Sequence, residues 1–155
     1  MKKGMMLAVV VVMMGLVGCG TTSTQEENAV SIPAFELVVV TEEAEVVVDE
    51  SMIEGLAITE AELLKTSQKG DTTSTWTGCD LMEVLSIAGV TEFTTLSVEA
   101  SDGYAQEYTY DMAQKTMLAF YENGELLGED GPLNTVIEGE SGSIWMKNLT
   151  KIIVE

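Results

Sequence analysis

Two runs, Thr94 to Ala100 and Tyr104 to Tyr110, alternate apolar and polar residues, and Ser101-Asp102-Gly103 separates them as a turn. Alternation with a period of two suits a strand that rests one face on a core, because successive side chains leave a strand on opposite faces. Met117–Tyr121 and Glu125–Leu127 flank Asn123-Gly124, the dipeptide best suited to the left-handed pair of a two-residue hairpin. The β-branched runs Phe35–Val40 and Glu45–Asp49 predict two further strands, and Leu133–Ile137 and Leu149–Val154 two more. Met52–Leu56 reads as a short turn or strand.

Helices are fewer and shorter. Leu81, Val84, Leu85 and Ala88 fall on one face of a helix that Asp80 caps and Gly89 ends. Thr59 and Glu62 have capping-box spacing, which predicts a helix from Thr59 to about Lys65 followed by a loop from Thr66 to Thr75. Asp111 is placed to cap a helical turn over Met112–Lys115. Glu138–Ser143 reads as a loop and Ile144–Lys147 as a short apolar segment. Short strands interspersed with two or three short helices predict an α+β domain with a mixed sheet.

Charge narrows the function. The 155 residues carry a net −19, with 26 acidic side chains against seven lysines, and contain no His or Arg. Such a surface repels phosphate backbones, so nucleic acid is excluded as a partner. The missing His removes the commonest general base and metal ligand, and the missing Arg removes the bidentate anion clamp. The plain reading of the acidity is solubility and repulsion from a membrane surface. Divalent-cation binding is the alternative, although no EF-hand-like spacing of Asp and Asn occurs.

The opening of the chain explains where such a domain works. Lys2 and Lys3 precede an apolar run from Met5 to Val17, and Leu16-Val17-Gly18-Cys19 closes it. A basic start, an apolar centre and a small residue before the cut describe a secretory signal peptide over residues 1–18. The run is shorter than the roughly 20 residues that a spanning helix needs. The Leu-Val-Gly-Cys ending resembles the lipobox of bacterial lipoproteins. That resemblance implies lipidation of Cys19 and anchoring on the extracytoplasmic face of a bacterial cell membrane, with membrane lipid as the first partner. An ordinary signal peptide or a single membrane anchor with an incidental Cys is the alternative. Residues 19–30 then form a Thr-, Ser- and Gln/Glu-rich tether, and residues 31–155 the domain. With Cys19 acylated, Cys79 is the one thiol of the folded part, which excludes an internal disulfide and favours a small buried hydrophobe.

From Trp76 onward five motifs follow in order: W-T-G-C-D-L-M-E-V-L-S-I-A-G-V, S-D-G-Y, L-A-F-Y-E-N-G-E-L-L, G-P-L-N-T-V-I and W-M-K-N-L-T-K-I-I-V. This series resembles the oxidoreductase molybdopterin-binding domain, the catalytic fold of the sulfite oxidase family, in a small single-domain form. The resemblance covers residues 76–155 and implies a cavity walled by Trp76, Gly78, Asp102, Gly103, Tyr104, Asn134 and Lys147, with Pro132 at its border. Each of these also has a purely structural reading: Trp76 and Trp145 as core anchors, Gly78 and the Asp102-Gly103 pair as turns, Pro132 as a fixed bend.

The residues that would carry chemistry are the ones missing. In catalytic relatives a Cys thiolate upstream of W-x-G ligates molybdenum. Here Thr66–Thr75 has no Cys, and Ser67 is a poor substitute for a soft thiolate. Asn134 stands where the family's G-P-x-R carries Arg, and Lys147 and Lys151 are the cations left in the last motif. No catalytic and no metal-ligating residue is assigned, no cofactor is expected, and the domain reads as a non-catalytic binding or accessory module, with a protein partner in a surface or redox assembly. A molybdopterin-dependent oxidoreductase is the alternative, and a cation- or solute-binding surface lipoprotein a second.

Overall fold

The computed structural model describes residues 30–155; the expected signal peptide, Cys19 and nearly all of the tether lie outside them. The strands are β1 (Glu36–Val40), β2 (Glu45–Asp49), β3 (Thr59–Lys65), β4 (Thr72–Asp80), β5 (Thr95–Ala100), β6 (Ala105–Thr109), β7 (Thr116–Glu122), β8 (Glu125–Leu126), β9 (Asn134–Ile137) and β10 (Leu149–Val154). The helices are α1 (Glu50–Ile53), α2 (Leu81–Ile87) and α3 (Tyr110–Ala113). One sheet runs β2-β1-β10-β5-β6 and is mixed, since β1 and β10 are parallel while the other pairs are antiparallel. The second runs β3-β4-β7-β8, with β9 also on β7, and is wholly antiparallel. The architecture is the expected α+β.

The two sheets share one core. Leu37 and Val39 of β1, Leu96 and Val98 of β5 and Ile152 of β10 are buried in the same cluster as Leu118, Phe120, Val136 and Ile137 of the second sheet. The ring of Phe35, just before β1, stacks on that of Phe120 at 6.0 Å. Helix α2 closes one end of the core with Leu81, Val84 and Leu85, and Asp80 Oδ1 accepts the Met82 N–H as the cap requires. No helix among the described residues is long and apolar enough to cross a membrane.

Four local expectations need correction. Thr59–Lys65 is not a helix: it pairs residue for residue with β4, from Thr59 opposite Gly78 to Lys65 opposite Thr72. Leu63 is buried, Ala61 and Lys65 are half-buried, and Glu60, Glu62 and Leu64 face outward. That alternation satisfies a strand on β4, and sheet pairing overrides the helix-forming side chains. In consequence the loop is residues 66–71, and Thr72–Thr75 belong to β4. Met52 and Ile53 lie in α1, which Asp49 caps by accepting the Ser51 and Met52 N–H groups. The turn at 110–113 is capped by Thr109 rather than Asp111, because the Thr109 hydroxyl accepts the Met112 N–H.

Candidate functional site

Three of the expected wall residues converge. Trp76 from β4, Asn134 from β9 and Lys147 from the segment before β10 line a hollow of about 160 Å³, together with Lys65, Gly142, Trp145 and Met146. Asp102 and Tyr104 line a neighbouring hollow of about 200 Å³, which shares Trp145, Met146 and Lys147 with the first. Residues 145–147 therefore form the wall between the two hollows. Asp102 Oδ1 accepts the Tyr104 N–H across the turn, and Gly103 takes its place there with a φ of +85°.

Two expected residues lie elsewhere. Gly78 is not in a turn: it sits inside β4 beside a register shift, pressed against β7, where a Cβ would collide with the Leu118 carbonyl. It permits a close strand approach rather than shaping a cavity. Pro132 borders a separate groove with Phe35, Asn148 and Leu149.

The first hollow is organised by its two tryptophans, the only two in the chain. Their rings meet edge to face, 5.7 Å apart at 84°. Trp145 Nε1 donates to the Ile137 carbonyl at 3.2 Å. Trp76 is 4% exposed and its Nε1 is buried with no hydrogen-bond partner. Asn134, 3% exposed, accepts the Asn148 N–H through Oδ1 at 2.9 Å, which leaves its amide NH₂ as the free end. Lys147 Nζ meets Asp130 at 2.7 Å at the outer rim.

Lys65 is the residue that sequence reasoning missed. Its ammonium lies 5.6 Å from the Trp145 ring centroid, a cation–π distance. The loop 138–143 holds it there: Gly142 N–H donates to the Thr66 carbonyl at 3.0 Å, and Gly142 abuts the Lys65 stem so closely that a Cβ would strike it. The usable signal was the parity of Ala61, Leu63 and Lys65, which points all three to one face of a strand and was obscured by the capping-box spacing.

Cys79 lies in β4 opposite Leu118 and is fully buried. Burial, with Glu83 and Asp80 nearby, pushes its thiol from the ordinary 9.0 up to about 12. It lines neither hollow. Ser67 closes its own loop by donating to the Gly70 carbonyl at 2.7 Å.

These residues do not fit the cofactor that the sequence resemblance implies. A pterin with its phosphate and metal exceeds either hollow, since sites for ligands of that size span roughly 300–1,000 Å³. Two larger grooves are lined by carboxylates, one by Glu42, Glu43, Glu92 and Glu155 and the other by Glu36, Asp49 and Glu50, and no Lys lines either. A phosphate there would meet like charge. Among the described residues no Cys lines any of these four surfaces. Among the described residues no group of three or more His, Cys, Asp or Glu side chains is placed to hold a metal ion.

No curated protein matches the chain. The family model for the oxidoreductase molybdopterin binding domain matches residues 34–155, a span that contains every strand and helix of both sheets. The chain belongs to the oxidoreductase molybdopterin-binding domain family.

Proposed function

We propose that this chain is a lipid-anchored extracytoplasmic lipoprotein whose molybdopterin-binding-type domain binds a ligand or partner and does not catalyse. The observation that carries the reading is the placement of Cys79. The one thiol in the folded part is enclosed in the core with its proton held to about 12, so it presents no thiolate to a hollow. The lack of Arg and His supports the same reading, because a buried anionic cofactor needs compensating cations. Fold alone does not carry activity, so the family membership is compatible with a binding role. The Leu16-Val17-Gly18-Cys19 sequence supports the anchor, and a domain held at a membrane surface is suited to a protein partner in a surface or redox assembly.

Two experiments test the two halves. Protein made in a host that synthesises molybdenum cofactor is assayed with sulfite and with S-oxides, using dye electron acceptors and donors; no turnover is expected, and turnover above the background of an empty-vector preparation would reinstate the oxidoreductase. For the anchor, wild type is expected to partition into detergent and to carry added acyl mass, and Cys19→Ala to do neither. Aqueous wild-type protein without acyl mass would remove the lipoprotein reading.

A further inference from the structure

The hollow between Trp76, Asn134 and Lys147 has an uneven polar inventory. The side-chain polar groups on its wall that make no hydrogen bond are donors: the Lys65 ammonium, which lies over the Trp145 ring, and the Asn134 amide NH₂. Lys147 adds a second ammonium at the rim, shared with Asp130. The Thr135 hydroxyl is already occupied by Tyr108 and the Met146 N–H. Among the described residues no Asp or Glu lines the hollow, whereas Lys65 and Lys147 do. Among the described residues Lys65 forms no ion pair.

The remaining wall is apolar, from the two indole rings, Val136 and Met146. A volume of about 160 Å³ is close to that of a cavity that admits benzene, so it holds about six heavy atoms. Donors and apolar walls in one small hollow suit a ligand with an acceptor-only head and a short hydrocarbon tail.

We propose that this hollow is a binding site for a small monocarboxylate, with the carboxylate held by Lys65, Lys147 and the Asn134 amide, and the tail against Trp145, Val136 and Met146. This rests on the binding reading of the domain and names its ligand class. Charge-assisted hydrogen bonds from the ammonium groups supply most of the attraction, and the Asn134 amide adds direction.

Both tryptophans line the hollow, so intrinsic fluorescence reads it directly. The full chain is titrated at constant ionic strength with sodium butyrate, n-butylammonium chloride and sodium sulfate, and molybdenum is measured on the same sample. Butyrate is expected to give a saturable change, and the other two only a weak, unsaturable one. Lys65→Gln is expected to raise the butyrate Kd about tenfold, and Lys69→Gln, in the exposed loop outside the hollow, to leave it unchanged. Asn134→Asp keeps the acceptor for the Asn148 N–H, replaces the amide donor by a carboxylate and is expected to weaken binding at least as much; if it does not fold, Lys65→Gln decides. No saturable butyrate response, an equal response to butylammonium or sulfate, or a Kd indifferent to Lys65→Gln would overturn the proposal. Stoichiometric molybdenum in the same sample would overturn the binding reading beneath it, so the two failures are distinguishable.

Discussion

Tyr108 of β6 and Thr135 of β9 tie the two sheets together through a 2.5 Å hydrogen bond between fully buried hydroxyls. The directions follow from proton counting. Tyr108 donates its one hydroxyl proton to the Ile144 carbonyl at 2.8 Å, so the Thr135 hydroxyl donates to Tyr108. Thr135 Oγ1 in turn accepts the Met146 N–H at 2.8 Å. The chain fixes residues 144–146, and with them Trp145, against both sheets. Tyr108→Phe leaves the Ile144 carbonyl and the Thr135 proton unpaired and should cost about 1–3 kcal/mol. Thr135→Val should cost a similar amount, and the double variant less than the sum, because the residues share one network. Urea unfolding of the three variants measures this; strictly additive costs would contradict a shared network.

Alkaline pH should act on the same core. Burial, the larger cause, raises the Tyr108 hydroxyl from 10.0 to about 12, and the Cys79 thiol rises from 9.0 to about 12. Both groups keep their protons longer in the folded state than in the unfolded chain. Their contribution to stability is therefore complete below about pH 9 and declines as pH rises to about 12. The urea midpoint should show this fall, and Cys79→Ala should make it shallower. The native thiol should also resist alkylation until the protein is unfolded, since the thiolate is the nucleophile. Rapid labelling of the native protein would show that Cys79 is not enclosed.

Two glycines should respond in opposite ways to the same change. Gly78→Ala drives a methyl group into the Leu118 carbonyl of β7 and should destabilise by about 3 kcal/mol or more, because backbone has to move. Gly55→Ala meets nothing within 4 Å and needs no positive φ, so it should be neutral or stabilising by a few tenths of a kcal/mol. Thermal melts of the pair decide, and equal melting temperatures would refute the close approach of β4 and β7.

The hairpin gives a third stability test. Asn123 and Gly124 have φ of 52° and 80°, the left-handed pair of a type I′ turn, and Asn123 Oδ1 also accepts the Thr75 N–H of β4. Gly124→Val should cost about 1–2 kcal/mol from the Cβ clash in that region. An unchanged melt would mean that the turn relaxes without strain.

Features set by short-range chemistry were legible in the sequence. Asn123-Gly124, the Asp80 cap with its Leu81, Val84 and Leu85 face, and the alternating Thr95–Ala100 strand all stand as the residues alone suggest. The Thr59–Lys65 segment was not, because its Leu, Glu, Ala and Lys side chains favour a helix locally and only pairing with β4 makes it a strand. That one misreading concealed half of the site's charge: Lys65 on a helix has no reason to meet Trp145. Gly78 was misplaced for a related reason, since the need for glycine comes from β7, some forty positions later, and not from its neighbours. Trp76, Asn134 and Lys147 were found through the family resemblance, which carries the long-range geometry that periodicity does not.

The central claim is that this member of a molybdopterin-binding family carries no molybdenum cofactor. The most direct measurement is molybdenum content by elemental analysis, with pterin fluorescence after acid release, on full-length protein purified from a cofactor-competent host. The expected result is molybdenum far below one atom per chain and no pterin signal, unchanged by Cys79→Ser. Near-stoichiometric molybdenum together with released pterin would contradict the claim, whatever ligand then replaced the missing thiolate.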